Sequence, residues 1–235
     1  MTTPVRTRSY RSPRRQEQAA ATRRSVLRAA RDLFTRDGYA ATTVTAIAAA
    51  AGVSLDTVYA SVGRKPELVL AVIDQVLASS DEPVAVEERE YVKDIRRAGT
   101  AHAKIEIYAA AVGRLVPQIA PLQDALRRAA ESDAACAAVW TGMLEHRGAN
   151  VLLLARDLRA TGELRADLTD QEVADIIGST NSVEYYLLLA RCGWTPERYA
   201  RLLADLWCRT LLGPVSPMPP TPPRGLTPSP GLAAP

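Results

Sequence analysis

The stretch from Thr42 to Leu68, TTVTAIAAAAGVSLDTVYASVGRKPEL, constrains this chain more than any other. Val44, Ile47, Ala48 and Ala51 recur at i, i+3, i+4 and i+7, which puts them on one face of a helix over Val44–Ala51. Thr43 stands where an N-cap belongs, its hydroxyl able to accept from an unpaired first-turn amide. Gly52 stops the helix, because glycine takes the left-handed conformation at little cost. Ser54 caps a second helix over Leu55–Ser61. Val53 and Val58 have the spacing of a hydrophobic staple, which sets the angle at which the chain joins that helix. Alanines at 46 and 48–51 let the first helix approach its neighbours closely. The second helix has too few large apolar residues to be a core helix, and it turns Leu55, Asp56, Thr57, Tyr59 and Ser61 outward. Pro66, well suited to a first helical turn, opens a third helix directly after Lys65.

Helix, glycine turn and second helix is the sequence form of a helix-turn-helix, whose second helix docks in the DNA major groove. A glycine turn between helices is also common in all-α proteins. Here it comes with two caps, a staple, Tyr59, Lys65 and a basic segment before it. The candidate DNA-contacting residues are Thr43, Ser54, Leu55, Asp56, Thr57, Tyr59, Ser61 and Lys65. Tyr59 offers a hydroxyl to a phosphate, and Lys65 lies beside the free amides of a helix start, a phosphate site. Asp56 either reads a cytosine amino group or complements the helix dipole.

Gly38-Tyr39, Thr42-Thr43-Val44, Ile47-Ala48, Ala51-Gly52-Val53-Ser54, Thr57-Val58-Tyr59 and Lys65-Pro66-Glu67-Leu68 resemble the TetR family of bacterial transcriptional regulators. The resemblance covers residues 20–72. It implies an all-α homodimer with an N-terminal three-helix helix-turn-helix domain and a C-terminal α-helical domain for ligand binding and dimerisation. Two departures stand out. Ala60 and Val62 occupy places where the family often has aromatics, and Asp56 stands where it favours a small residue.

Charge is divided along the chain. Residues 1–75 hold 12 Lys/Arg and 6 Asp/Glu, whereas residues 76–235 hold 17 and 20. The basic end carries the helix-turn-helix, as expected of a nucleic-acid binder joined to a unit with another task. Cys136, Cys192 and Cys208 lack metal-ligand or redox spacing and read as small buried hydrophobes in a reducing cytoplasm. The Arg-rich start has no apolar run behind it, and no run elsewhere is long enough to span a bilayer, so a cytoplasmic protein with no membrane partner is expected.

In chain order, residues 1–13 read as a disordered basic arm, either following DNA or simply solvated. Residues 14–78 form the helix-turn-helix domain. Its long first helix over 14–37 carries Phe34 in the core and stops at Gly38, and the helix over 66–78 is a strut. Residues 79–212 form the ligand and dimerisation domain, with helices expected at 86–98, 101–116, 122–131, 133–161, 170–191 and 196–212. Pro117 and Pro121 are expected to break the pattern. Gly142 and Gly148 point to close packing or to room for a ligand. Thr169-Asp170-Gln171-Glu172 is a capping box. The resemblance assigns 170–191 and 196–212 to a four-helix homodimer seam. Residues 213–235, with nine of the 16 prolines, read as a disordered tail.

No metal spacing, nucleophile elbow, phosphate loop or dinucleotide fingerprint is present, so no catalytic residue, metal or cofactor is expected and the chain reads as a non-enzyme. Tyr108, Trp140, Met143, Asn181 and Tyr185, with Tyr186, are candidates to line a pocket for an unknown small molecule, and ordinary core packing explains each as well. The leading expectation is a homodimeric repressor of a palindromic double-stranded DNA operator, released by a ligand. The alternative is a helical ligand-binding or scaffold protein with a vestigial helix-turn-helix.

Overall fold

The computed structural model describes residues 13–213, so all but the last residue of the arm and all but the first residue of the proline-rich tail lie outside the described residues. The described residues are all-α. Helix α1 spans Pro13–Ala41, α2 Val44–Ala51, α3 Leu55–Ser61 and α4 Lys65–Ala78. A single 3-10 turn at Val86–Glu88 leads into α5 Glu90–Arg97, then α6 Ala101–Ala129, α7 Ala134–Arg159, α8 Asp170–Thr180, α9 Val183–Arg191 and α10 Pro196–Leu211.

The local signals of the first three helices act as their chemistry dictates. Gly38 breaks the helical path of α1 at φ 77°, so only the last few residues of that span form a separate turn. The Thr43 hydroxyl accepts from Ala46 N at 3.1 Å and that of Ser54 from Thr57 N at 3.1 Å. Gly52 adopts φ 69°, ψ 30°, the left-handed C-cap. Val58 is fully buried, with Val53 packed against the same core. The helices α2 and α3 meet at 96°.

Two cores fill the molecule. One joins Val26, Phe34, Ile47, Val58, Leu68 and Val72 of α1–α4 to Leu115, Ile119, Leu122 and Leu126 of α6 and Cys136 of α7. The chain on either side of the turn at Ser79 therefore shares a single apolar interior. The second core lies among the first half of α6, the second half of α7, and α8–α10, centred on Trp207, Tyr199, Leu203 and Ile177.

Several expectations give way to tertiary structure. Pro117 and Pro121 lie inside one continuous helix, α6. An interior proline costs about 3 kcal/mol by removing a hydrogen bond and crowding the previous turn. Leu115, Val116, Ile119, Leu122 and Leu126 are all buried around them, each side chain worth about 1.5–3 kcal/mol, so burial outweighs the two breaks. The expected helix over 170–191 is divided into α8 and α9. Asn181 is buried and its side chain is engaged by other helices, while Ser182 caps α9 by accepting from Tyr185 N at 3.2 Å. The expected helix over 86–98 is the 3-10 turn followed by the shorter α5.

Gly142 and Gly148 do not mark close packing: both are exposed, with nothing within 4 Å of an added Cβ. The close approach is at Gly113, where that atom would lie 2.5 Å from the Ala200 Cβ. Cys136 is buried, but Cys192 is exposed and Cys208 only partly covered. The capping box at Thr169 and Glu172 is formed.

Candidate DNA interface and the cavity behind it

The outward face of α3 is built from the caps inward. Leu55 and Tyr59 are 37% and 44% exposed, large values for apolar and aromatic side chains. Ser54 and Asp56 are exposed beside them, as is Thr43 at the start of α2. Asp56 sits in the first turn of α3, where a negative charge complements the helix dipole. The half-buried Thr57 hydroxyl is 2.8 Å from that of Ser54, and the Ser61 hydroxyl donates to the Val58 carbonyl within the helix. Ser61 is therefore more tied to its own backbone than the others. The Arg23 guanidinium of α1 donates to the Ser61 carbonyl at 2.6 Å, holding the C-terminal end of α3.

Lys65 opens α4, next to Arg64 at the N-cap, whose side chain makes no capping bond. First-turn amides there are left without a side-chain acceptor. The Lys65 ammonium lies 4.2 Å over the centre of the Tyr39 ring and 3.4 Å from the Ala40 carbonyl. Burial lowers its pKa from the ordinary lysine value. Tyr39 stacks on Phe34, and its hydroxyl is 3.3 Å from the Cys136 Sγ in the first turn of α7. Burial, and then the bond to Cys136, push the Tyr39 hydroxyl well above the usual tyrosine range. Sequence reasoning placed Lys65 beside a helix start but missed the ring beneath it and the link to α7. No local pattern connects residues 97 positions apart. Arg64 was also missed, although the adjacent Arg64-Lys65 pair was a usable signal.

Behind this face lies a cavity of about 940 Å³, walled by α1 and α4 on one side and by α6 and α7 on the other. The structure brings Tyr108, Trp140, Met143 and Asn181 to its wall, but not Tyr185. Tyr185 is tilted against Tyr199, at 6.4 Å between ring centres, and Tyr186 packs there at 5.2 Å. These two tyrosines belong to the second core, and the placement of Tyr185 among the pocket candidates is corrected accordingly. At the cavity's far end the Asn181 amide donates to the Tyr108 hydroxyl at 2.8 Å, while Arg147 donates to the Asn181 and Gly178 carbonyls. Tyr108 stacks on Trp207, and burial pushes its hydroxyl up to about 12.

Comparisons with known proteins agree with this geometry. Residues 26–72 match the family model of the bacterial regulatory proteins of the tetR family. The HTH-type transcriptional repressor Rv3405c of Mycobacterium tuberculosis is 34% identical over 142 residues, 57% of this chain and 72% of that protein. The solved complex of SmeT, a repressor from Stenotrophomonas maltophilia, with triclosan superposes with a TM-score of 0.61 at 19% identity, over 88% of this chain and 99% of that one. A transcriptional regulator from Saccharomonospora viridis in complex with choline gives a TM-score of 0.62 at 14% identity, over 82% and 98%. Identities this low speak for the fold alone. This chain belongs to the TetR family and is a DNA-binding transcriptional regulator. Among the described residues, no single helix is long and apolar enough to cross a membrane.

Proposed function

We propose that the protein is a cytoplasmic homodimeric repressor that binds a palindromic operator and leaves it when a small molecule fills the cavity. One observation carries this: the exposed face of α3 and the cavity share α4, whose first residue is Lys65 and whose inner side forms the cavity wall. Leu55, Asp56 and Thr57 read base edges, while Thr43, Ser54, Tyr59, Ser61 and Lys65 meet the phosphate backbone. Residues 14–78 act as the DNA-binding unit and 79–212 as the effector and dimerisation unit.

The dimer seam is assigned to α8–α10, where Leu188 is 58% exposed and Ile176, Leu202 and Leu206 are half-buried. Leu203 is not part of that surface, being fully buried within one chain. Two recognition helices must then lie about 34 Å apart, or a multiple of that spacing, to dock on successive turns of one DNA face. The relatives' complexes with triclosan and choline support a ligand role for a cavity of this kind.

The test is footprinting on the DNA flanking the gene. A protected inverted repeat is expected, bound with two protomers per site. Protection of a single half-site by a monomer would refute the dimeric reading.

A further inference from the structure

The reading of the cavity as an effector site leaves open what enters it, and its charges narrow the choice. The wall is mostly apolar, with the aromatic side chains of Tyr91, Tyr108 and Trp140. Three arginines reach it, and each has a partner. Arg23 is held by the Ser61 carbonyl, Arg147 by Asn181 and Gly178, and Arg89 lies 3.7 Å from Asp74. Six carboxylates line it against those three arginines. Glu82 is paired with Arg24, and Glu184 with Arg127. Asp81 and Glu87 are exposed at the mouth, where water solvates them.

Glu67 is different. Its Oε2 is buried with no hydrogen-bond partner, and no ion pair to it is formed among the described residues. Leaving a carboxylate oxygen buried and unpaired is more costly than leaving a neutral group so. An unpaired buried polar atom in a cavity wall calls for a partner, and the cavity is where one can enter. Arg89 Nε is also unpaired, but its guanidinium charge already faces Asp74, so it asks only for a neutral acceptor.

We propose that the cavity takes an apolar molecule bearing one positively charged nitrogen, and that Glu67 receives that charge. The aromatic walls favour the same class, since a cation near a ring face is attracted by the ring's π electrons, the more so where water is excluded. Glu67 lies in the first turn of α4, two residues from Lys65. The ligand therefore touches the helix that begins the phosphate site.

The test uses the full-length protein and three probes with one chain length and different heads: decylammonium, decanoate and decanol. Each is titrated by calorimetry below its micelle concentration, against wild type and Glu67→Gln. Decylammonium is expected to bind wild type at least tenfold more tightly than either analogue. Glu67→Gln should bring it down to the level of decanol and leave decanol unchanged. Equal or tighter binding of decanoate overturns the proposal in favour of an anion at Arg89. A preference for the cation that survives in Glu67→Gln overturns the role of Glu67. Should the variant fail to fold, the order of the three heads on wild type still decides the ligand class. Operator binding is measured separately. A Glu67-dependent cation preference with no effect on DNA upholds this inference and refutes the effector reading beneath it.

Discussion

Gly113 and Gly148 make the same substitution a test of opposite signs. Both are helix-interior glycines, and replacement by alanine in a helix is worth about 0.8–1.0 kcal/mol in backbone propensity. At Gly148 nothing lies within 4 Å of the new Cβ, so the gain is kept. At Gly113 the new Cβ meets the Ala200 Cβ at 2.5 Å, the Pro196 carbonyl oxygen at 3.0 Å and the Ala200 Cα at 3.3 Å. None of these is the tip of a flexible side chain, so α10 must move as a body away from α6. Such overpacking costs about 1–3 kcal/mol, and more where backbone must shift, which outweighs the propensity. Displacing α10 also disturbs Tyr199, Leu203 and Trp207, all fully buried. Urea unfolding at one fixed protein concentration reads both, since a dimer's stability depends on concentration. Gly113→Ala is expected to be less stable than wild type by about 1–3 kcal/mol, and Gly148→Ala more stable by about 0.5–1 kcal/mol. A Gly113→Ala protein as stable as wild type would show that α6 and α10 do not approach as described.

Lys65→Ala should weaken specific and non-specific DNA alike and flatten the slope of log affinity against log salt by about one unit per half-site, as loss of one phosphate contact does. A change confined to one DNA sequence would assign Lys65 to base reading instead. Leu206→Glu should leave the monomer folded and shift the molecular mass in solution from dimer to monomer. Leu203→Glu should unfold the chain, because it buries an unpaired charge; a folded Leu203→Glu monomer would refute the inward placement. Tyr108 should ionise at about 12, against an ordinary value of 10.0, in an absorbance titration. Unfolded tyrosine releases its proton first, so the folded state binds more protons between those values. Stability contributed by Tyr108 is present below pH 10 and is lost as pH rises toward 12. A phenol titrating at its ordinary value would place Tyr108 in water.

What was legible in the sequence was short-range. Thr43, Gly52, Ser54 and Thr169 act through backbone groups within three or four residues, and the spacing of such partners is written in the chain. The segments governed by distant partners were not legible. Pro117 and Pro121 look like breakers until the buried leucines and isoleucine around them meet α1 and α4. Asn181 looks helical until Arg147 and Tyr108 claim its amide. Trp207 was missed as the centre of the second core. Its Nε1 donates to the Thr180 hydroxyl at 2.8 Å, and Thr180 comes close only when α8 and α10 pack. The pocket candidates divided for the same reason: Trp140 and Met143 are one turn apart on α7 and go together, whereas Tyr185 follows α9 into the core.

The arrangement around α4 explains how the two halves of the molecule could answer to one another without a long relay. Lys65 and Glu67 stand in the same helical turn, one over the Tyr39 ring and one at the cavity wall. Beneath Lys65 lies Tyr39, and beyond Tyr39 lies Cys136, one turn before Trp140 on the opposite wall. On the proposed reading, a molecule seated between Glu67 and Trp140 would touch the turns that carry both ends of the Lys65–Tyr39–Cys136 chain. Moving a bound phosphate partner by a fraction of a hydrogen-bond length weakens it, so a small tilt of this turn suffices. The continuous apolar core between α4 and α6 makes the tilt cooperative, because closely packed interiors shift between discrete arrangements more readily than they deform. A coupling of about 1–3 kcal/mol through one turn corresponds to about 5- to 150-fold in DNA affinity, and linkage requires the DNA to weaken the ligand by the same factor.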